Sequence, residues 1–216
     1  MLKSIVNGAF QTNSLFGGFI GVFVQGAKRA AFSNEAGLGS AAIAHSAAKT
    51  NEPVREGLVA MVGPFIDTLL VCTMTALTIL STKSHLDATG APQAIGGVEV
   101  TMAAFTSLSP WLKYALMVAV IVFAYSTMIS WSYYGEKASE YLFGPQAITP
   151  YRIMFLFFVV LGPMLSLNNL IDFTDLMILS MAYPNILGMI ILAPKVNRLL
   201  KDYTARLKNG EIQPYK

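Results

Sequence analysis

The stretch Phe32-Ser33-Asn34-Glu35-Ala36-Gly37-Leu38-Gly39-Ser40 interrupts apolar sequence that runs from Phe16 to Val24 before it and from Ala41 to Ala48 after it. Asn34, Glu35, Gly37 and Gly39 together are incompatible with an ordinary membrane helix. A glycine costs about 1 kcal/mol relative to alanine in a helix interior, and a buried carboxylate costs several kcal/mol. The segment is tolerable if the helix is broken there, because irregular backbone at membrane depth survives where protein covers it or a water-filled cavity faces it. A break exposes two opposite partial charges. The carbonyls ending the first half suit Na+ or an ammonium group, and the N–H groups opening the second half suit a carboxylate. An amino acid accompanied by a cation matches that pair of ends.

Composition sets the medium. The 216 residues are 54% hydrophobic and 12% charged, against about 25% charged in soluble domains, so the chain reads as an integral membrane protein embedded in a lipid bilayer. The lone Cys72 excludes an intramolecular disulfide and a cysteine metal cluster. His45 and His85 show no ligand spacing. The net charge of +3 does not indicate nucleic acid, because the basic residues sit at helix ends. Met1 to Phe10 has no long apolar core, so no cleavable signal peptide is expected.

Five membrane helices are expected in an all-α, single transmembrane domain covering 1–216. The first runs from Asn13 to Ala48 and is discontinuous near Ser33–Gly39. The others run from Arg55 to Ser81, from Trp111 to about Tyr134 with a possible continuation to Leu142, from Tyr151 to Leu167, and from Phe173 to Ala193. Val98 to Leu108 reads as a short interfacial helix, and Asn168, Asn169 and Asp172 as a turn. Pro184 should bend the last helix. Residues 194–216 form a basic tail. Lys49, Arg55, Lys137, Arg152, Lys195, Arg198, Lys201, Arg206, Lys208 and Lys216 fall on one side of this layout, and Lys3, Lys83 and Lys113 on the other. The positive-inside rule then puts the C-terminus in the cytoplasm and the N-terminus outside. An outside N-terminus without a signal peptide is natural for the second half of a longer protein.

Several residues carry two readings. Gly37-Leu38-Gly39-Ser40-Ala41-Ala42 formally matches a dinucleotide fingerprint, but no strand precedes it. Read instead as a functional break, it makes Asn34, Gly37 and Gly39 substrate-binding positions. Glu35 either faces the cavity or pairs with Lys28 or Arg29; the pair is preferred, since a basic neighbour stabilises the ionised carboxylate. Asp67 shares a helical face with Thr75 and Thr78 by spacing, and either takes part in coupling or forms a buried pair with Lys28 or Arg29. Ser126 and Thr127 supply adjacent hydroxyls that suit a hard cation but also bond readily to their own helix backbone. Trp131 lies one turn beyond Thr127 and either walls a pocket or belongs to an interfacial aromatic belt. Cys72 and His45 read as packing.

The run Gly26-Ala27-Lys28-Arg29-Ala30-Ala31-Phe32-Ser33-Asn34-Glu35-Ala36-Gly37-Leu38-Gly39-Ser40-Ala41 closely resembles the sodium:alanine symporters, also called alanine or glycine:cation symporters. So do Phe65-Ile66-Asp67-Thr68, Phe123-Ala124-Tyr125-Ser126-Thr127, Tyr133-Tyr134-Gly135-Glu136 and Pro184-Asn185. The resemblance implies the second inverted repeat of a LeuT-like fold, with an N-terminal five-helix repeat as missing partner. It implies sodium-coupled symport of alanine, glycine or a similar small neutral amino acid across the plasma membrane, with no covalent chemistry and no cofactor. Na+ is then the coupling ion, held by Ser126 and Thr127, and Trp131 is taken for the substrate pocket. The rivals are a proton-coupled carrier or channel, in which Asp67 outweighs the two hydroxyls, and a non-transporting truncated helix bundle. An intramembrane enzyme would need a nucleophile with a base or paired metal ligands, and neither is found.

Overall fold

A computed structural model describes residues 19–35, 37–90 and 96–212. Among them the regular elements are helical: α1 (Phe19–Asn34), α2 (Ser40–Ser46), α3 (Pro53–Thr82), α4 (Val98–Leu108), α5 (Leu112–Phe143), α6 (Ile148–Leu161) and α7 (Leu167–Lys208). Short 3₁₀ turns flank α6 at Pro145–Ala147 and Gly162–Met164. Among the described residues, four helical stretches are long and apolar enough to cross a membrane: Pro53–Thr82, Leu112–Phe143, Pro145–Met164 and Asn169–Lys208. The expected broken first span begins outside the described residues and is described as the 16-residue α1 followed by the 7-residue α2.

Local chemistry sets the boundaries. Glu52 is extended and Pro53 opens α3, where its missing N–H would have no helical partner anyway. Gly144, at φ 82°, ends α5, and its N–H caps the Glu140 carbonyl at 2.8 Å. Within α3, Pro64 precedes a π-helical stretch, Phe65–Cys72, that contains Asp67. Wider i→i+5 turns shift the side-chain register, so the face shared by Asp67, Thr75 and Thr78 on α-helical spacing does not carry across this stretch. Thr75 and Thr78 donate instead to the Val71 and Met74 carbonyls, at 2.9 and 2.8 Å.

Contacts divide the described residues into two compact units, one holding those from Phe19 to Ala27 with Phe65–Leu156, the other those of Lys28–Pro64 with Phe157 to residue 212. In the first, α4 packs on the end of α3 and on α5, and Ala104 is wholly buried. Gly135 of α5 receives the Tyr151 ring, whose hydroxyl occupies the place a Cβ would take. One residue further along each helix, Arg152 donates to both Glu136 carboxylate oxygens at 2.7 and 2.9 Å.

In the second unit, α7 is one helix of 42 residues that continues through Pro184 and Pro194. The expected turn at Asn168, Asn169 and Asp172 is therefore the start of a helix. Ser166, extended at its N-cap position, begins it, and polar residues are at home in a first turn, where backbone N–H groups lack helical partners. Residues 194–208, expected as a tail, are helical too. Arg206 donates to both Glu52 oxygens at 2.8 and 3.0 Å and to Asp202 at 2.9 Å. The hydrogen bond from Arg206, aided by its charge, holds the Glu52 carboxyl below the usual carboxylate range. The pair is ionised at neutral pH, and its contribution is lost only as pH falls through that depressed value. His45 Nδ1 meets Glu56 Oε1 at 2.7 Å nearby.

The α5–α6 contact yields a stability test. Gly135→Ala forces Tyr151 out of its seat and should destabilise the protein by about 1–3 kcal/mol, as overpacking does elsewhere. Thermal unfolding in detergent measures the loss. Tyr151→Leu in the same background should recover part of it; an unchanged midpoint in Gly135→Ala would mean that the ring does not seat there.

Candidate functional site

The break lies wholly in the second unit. α1 ends at Asn34, and the chain then takes positive φ at Glu35 (53°), Gly37 (83°) and Gly39 (93°). Glycine reaches this region at no steric cost, whereas Glu35 is strained by about 1–2 kcal/mol. The Leu38 N–H bonds the Glu35 carbonyl at 3.3 Å, closing a turn, and the Ala42 N–H bonds the Gly39 carbonyl at 3.2 Å as α2 begins. Leu38 is buried at 3% exposure and Ser40 is fully buried. Among the described residues the Ser40 hydroxyl has no hydrogen-bond partner. An orphaned buried hydroxyl costs about 1–3 kcal/mol, so it stands out at the mouth of a helix break.

Arg29, five residues before Asn34, donates to Asp175 of α7 at 2.6 Å, with Lys28 Nζ 4.0 Å from the same oxygen. Arg29 also stacks over Phe32, 5.7 Å from the ring centre. Asp175 is 8% exposed. Removing one partner from a buried pair costs about 3–5 kcal/mol, less here because Arg29 is half exposed. On the other side of the break, Asn185 of α7 lies against Gly39, its Oδ1 3.1 Å from the position a Cβ would occupy. Gly39 is thus constrained twice, by its backbone angle and by its neighbour.

Of the positions read from sequence, Lys28, Arg29, Asn34, Glu35, Gly37 and Gly39 come together here. The acidic partner of Lys28 and Arg29 is Asp175, a residue the sequence reading passed over. The signal was available: Asp175 stands in the apolar stretch after Phe173, as Asp67 does in its own. Ser40 and the placement of Asn185 were also missed, since nothing in the local sequence says what packs on a glycine 146 residues away.

Ser126, Thr127, Trp131 and Asp67 belong to the first unit. Both hydroxyls donate to the Phe123 carbonyl of α5, at 3.0 Å from Ser126 and 2.8 Å from Thr127. This back-bonding fixes the hydroxyl protons on the helix and leaves oxygen lone pairs to accept or coordinate. Trp131 meets Tyr134 edge to face, centroids 5.8 Å apart.

The model of the "Sodium:alanine symporter family" matches residues 1–216. The chain is 41% identical over 207 residues to the sodium/alanine symporter AgcS of Methanococcus maripaludis, covering 95% of this chain and 45% of that protein. It is 35% identical to the probable sodium/glutamine symporter GlnT of Bacillus subtilis, covering 98% and 44%. A putative sodium/proton-dependent alanine carrier, YrbD of Bacillus subtilis, is 30% identical, covering 97% and 46%. The chain therefore spans a little under half the length of these relatives. No solved structure gives a significant match. A family match along the whole chain agrees with the broken apolar helix described above, and the chain belongs to the sodium:alanine symporter family, a family of transporters rather than enzymes.

Proposed function

We propose that the chain is the C-terminal half of a sodium-coupled symporter for alanine, glycine or a similar small neutral amino acid, in the second inverted repeat of a LeuT-like fold. The observation that carries this reading is the break itself. Positive φ at Glu35, Gly37 and Gly39 opens a helix in an otherwise apolar chain, and the buried hydroxyl of Ser40 stands where α2 begins. The N–H end of α2, with Gly37, Gly39 and Asn34, would receive the carboxylate of the amino acid. Na+ would be held by the Ser126 and Thr127 oxygens and by carbonyls of the missing N-terminal repeat, with Trp131 walling the pocket. Cation and amino acid would then bind cooperatively, and the sodium gradient would drive alternating access. Family membership and the names of the relatives support sodium and a small amino acid as cargo. The relative named for glutamine widens the range of side chains to consider.

A proton-coupled variant is the second reading. It draws on the relative named as sodium/proton-dependent and on Asp67, a carboxylate in a π-helical stretch of an apolar helix.

Two experiments test the proposal. The first is topological, with the N-terminus outside, the C-terminus cytoplasmic and five spans in the cell membrane. On a Cys72→Ala background, a membrane-impermeant thiol reagent applied outside should label Asn168→Cys and not Lys195→Cys. The reverse pattern would invert the topology.

The second concerns the cation. Thr127→Ala in the complete carrier should raise the Na+ concentration for half-maximal alanine uptake by about tenfold or more, as for one lost hydrogen bond to a charged group, with alanine affinity recovering at high Na+. Thr127→Ser retains the oxygen and should be mild. Thr127→Val keeps the shape and should be as impaired as Ala, whereas a packing role predicts Val to be the mildest. Uptake into proteoliposomes reads the order, and an unshifted Na+ dependence in Thr127→Val would move the cation site elsewhere.

A further inference from the structure

Three contacts join α7 to the segment around the break, and they follow the same chain order on both sides. Arg29 bonds Asp175, Gly39 rests against Asn185, and Glu52 bonds Arg206. Arg29 and Gly39 are ten residues apart, as are Asp175 and Asn185. On α7 that separation is a helical rise of about 15 Å. On the broken segment, by contrast, the same count includes Glu35 and residues 37–39, which follow no helix and set no length of their own.

We propose that α7 is a splint that fixes the gap between the two half-helices. Asp175 anchors the first half through Arg29, Asn185 seats the second half at Gly39, and both act as positioning residues for the cargo site without touching cargo. The chemistry of each anchor suits the task. A charge-assisted hydrogen bond of 2.6 Å to a carboxylate 8% exposed is both strong and directional. The Asn185 contact is steric: its Oδ1 stands 3.1 Å from where a Cβ on residue 39 would be, so a side chain there would press Asn185 back by a few tenths of an ångström. Pro184, just before Asn185, cannot donate to the Ser180 carbonyl, so the splint carries a locally softened turn beside its second anchor. The Glu52–Arg206 pair then holds the chain that leaves α2, which shortens the free segment the splint must control.

Loss of an anchor should let the half-helices vary in spacing. The carboxylate-binding N–H groups would then no longer be pre-organised, and affinity would fall for reasons of orientation. This consequence for cargo rests on the carrier reading above, whereas the consequence for the gap does not.

The test uses the complete carrier on a Cys72→Ala background, spin-labelled at Ala30→Cys and Ala47→Cys, one site on either side of the break. Pulsed dipolar spectroscopy gives the distance distribution without any ligand, and proteoliposome uptake gives the half-saturating alanine concentration and the maximal rate. Asp175→Asn and Asn185→Ala should each broaden the distribution. Asp175→Asn should also raise half-saturating alanine by about tenfold, the effect of a weakened hydrogen bond to a charge, and Asn185→Ala should raise it too through the lost seat, each with a smaller change in maximal rate. Arg29→Asp combined with Asp175→Arg should narrow the distribution again, which a merely space-filling role would not do. A distribution as narrow as the parent's in both Asp175→Asn and Asn185→Ala overturns the splint. If Asp175→Asn does not fold, Asn185→Ala and Arg29→Gln decide the matter by the same distribution. A broadened distribution in a carrier whose alanine uptake ignores Na+ upholds the splint and overturns the sodium-coupled reading.

Discussion

A backbone that leaves the helical path inside lipid frees N–H and C=O groups that the hydrocarbon cannot satisfy. Everything around residues 35–39 answers to that constraint. Two glycines and Glu35 take the left-handed angles that let the chain turn within a few residues. Leu38 and Ser40 point into protein, so the turn is covered on one side. Arg29, just before the segment, is paired with a carboxylate on α7. The N–H groups that open α2 lie at the start of a helix, and this is the physical basis for the proposed carboxylate site.

The exterior is the complement of that site. Among the described residues the buried apolar side chains are Leu38, Ala104, Ile178 and Tyr203, while large apolar residues such as Phe123, Ile191 and Met164 are exposed. Apolar surface on this scale is stable in lipid or against another apolar face. A chain spanning under half of its relatives' length would meet both. The Gly135–Tyr151 and Glu136–Arg152 contacts hold α5 to α6 by shape and charge, which work in lipid where burial from water gives no drive.

Much of this was legible in the sequence, for identifiable reasons. The break was readable because Asn34, Glu35, Gly37 and Gly39 violate helical and membrane preferences together. The short helix Val98–Leu108 and the long Leu112–Phe143 were readable because Gly97 and Gly144 bracket continuous apolar runs. The last helix was readable from Phe173 to Ala193, but its full extent was not. Pro184, Pro194 and the Asn168–Asp172 cluster are ordinary signals of breaks and turns, yet a helix of 42 residues absorbs them all. The π-helical stretch after Pro64 was equally hidden, since no residue pattern distinguishes i→i+5 from i→i+4 bonding. Asp175 escaped because its partner is 146 residues away in sequence. A nearer acid, Glu35, looked sufficient to neutralise Arg29.

The central proposal is that cation and amino acid bind cooperatively, with the carboxylate of the amino acid received at this break. Equilibrium binding of labelled alanine to the complete carrier, measured over a range of Na+ at constant pH and ionic strength, tests it most directly. Alanine affinity should rise with Na+, and Na+ affinity should rise with alanine by the same factor, because linkage is reciprocal. An alanine affinity that ignores Na+ and follows pH instead would contradict the account.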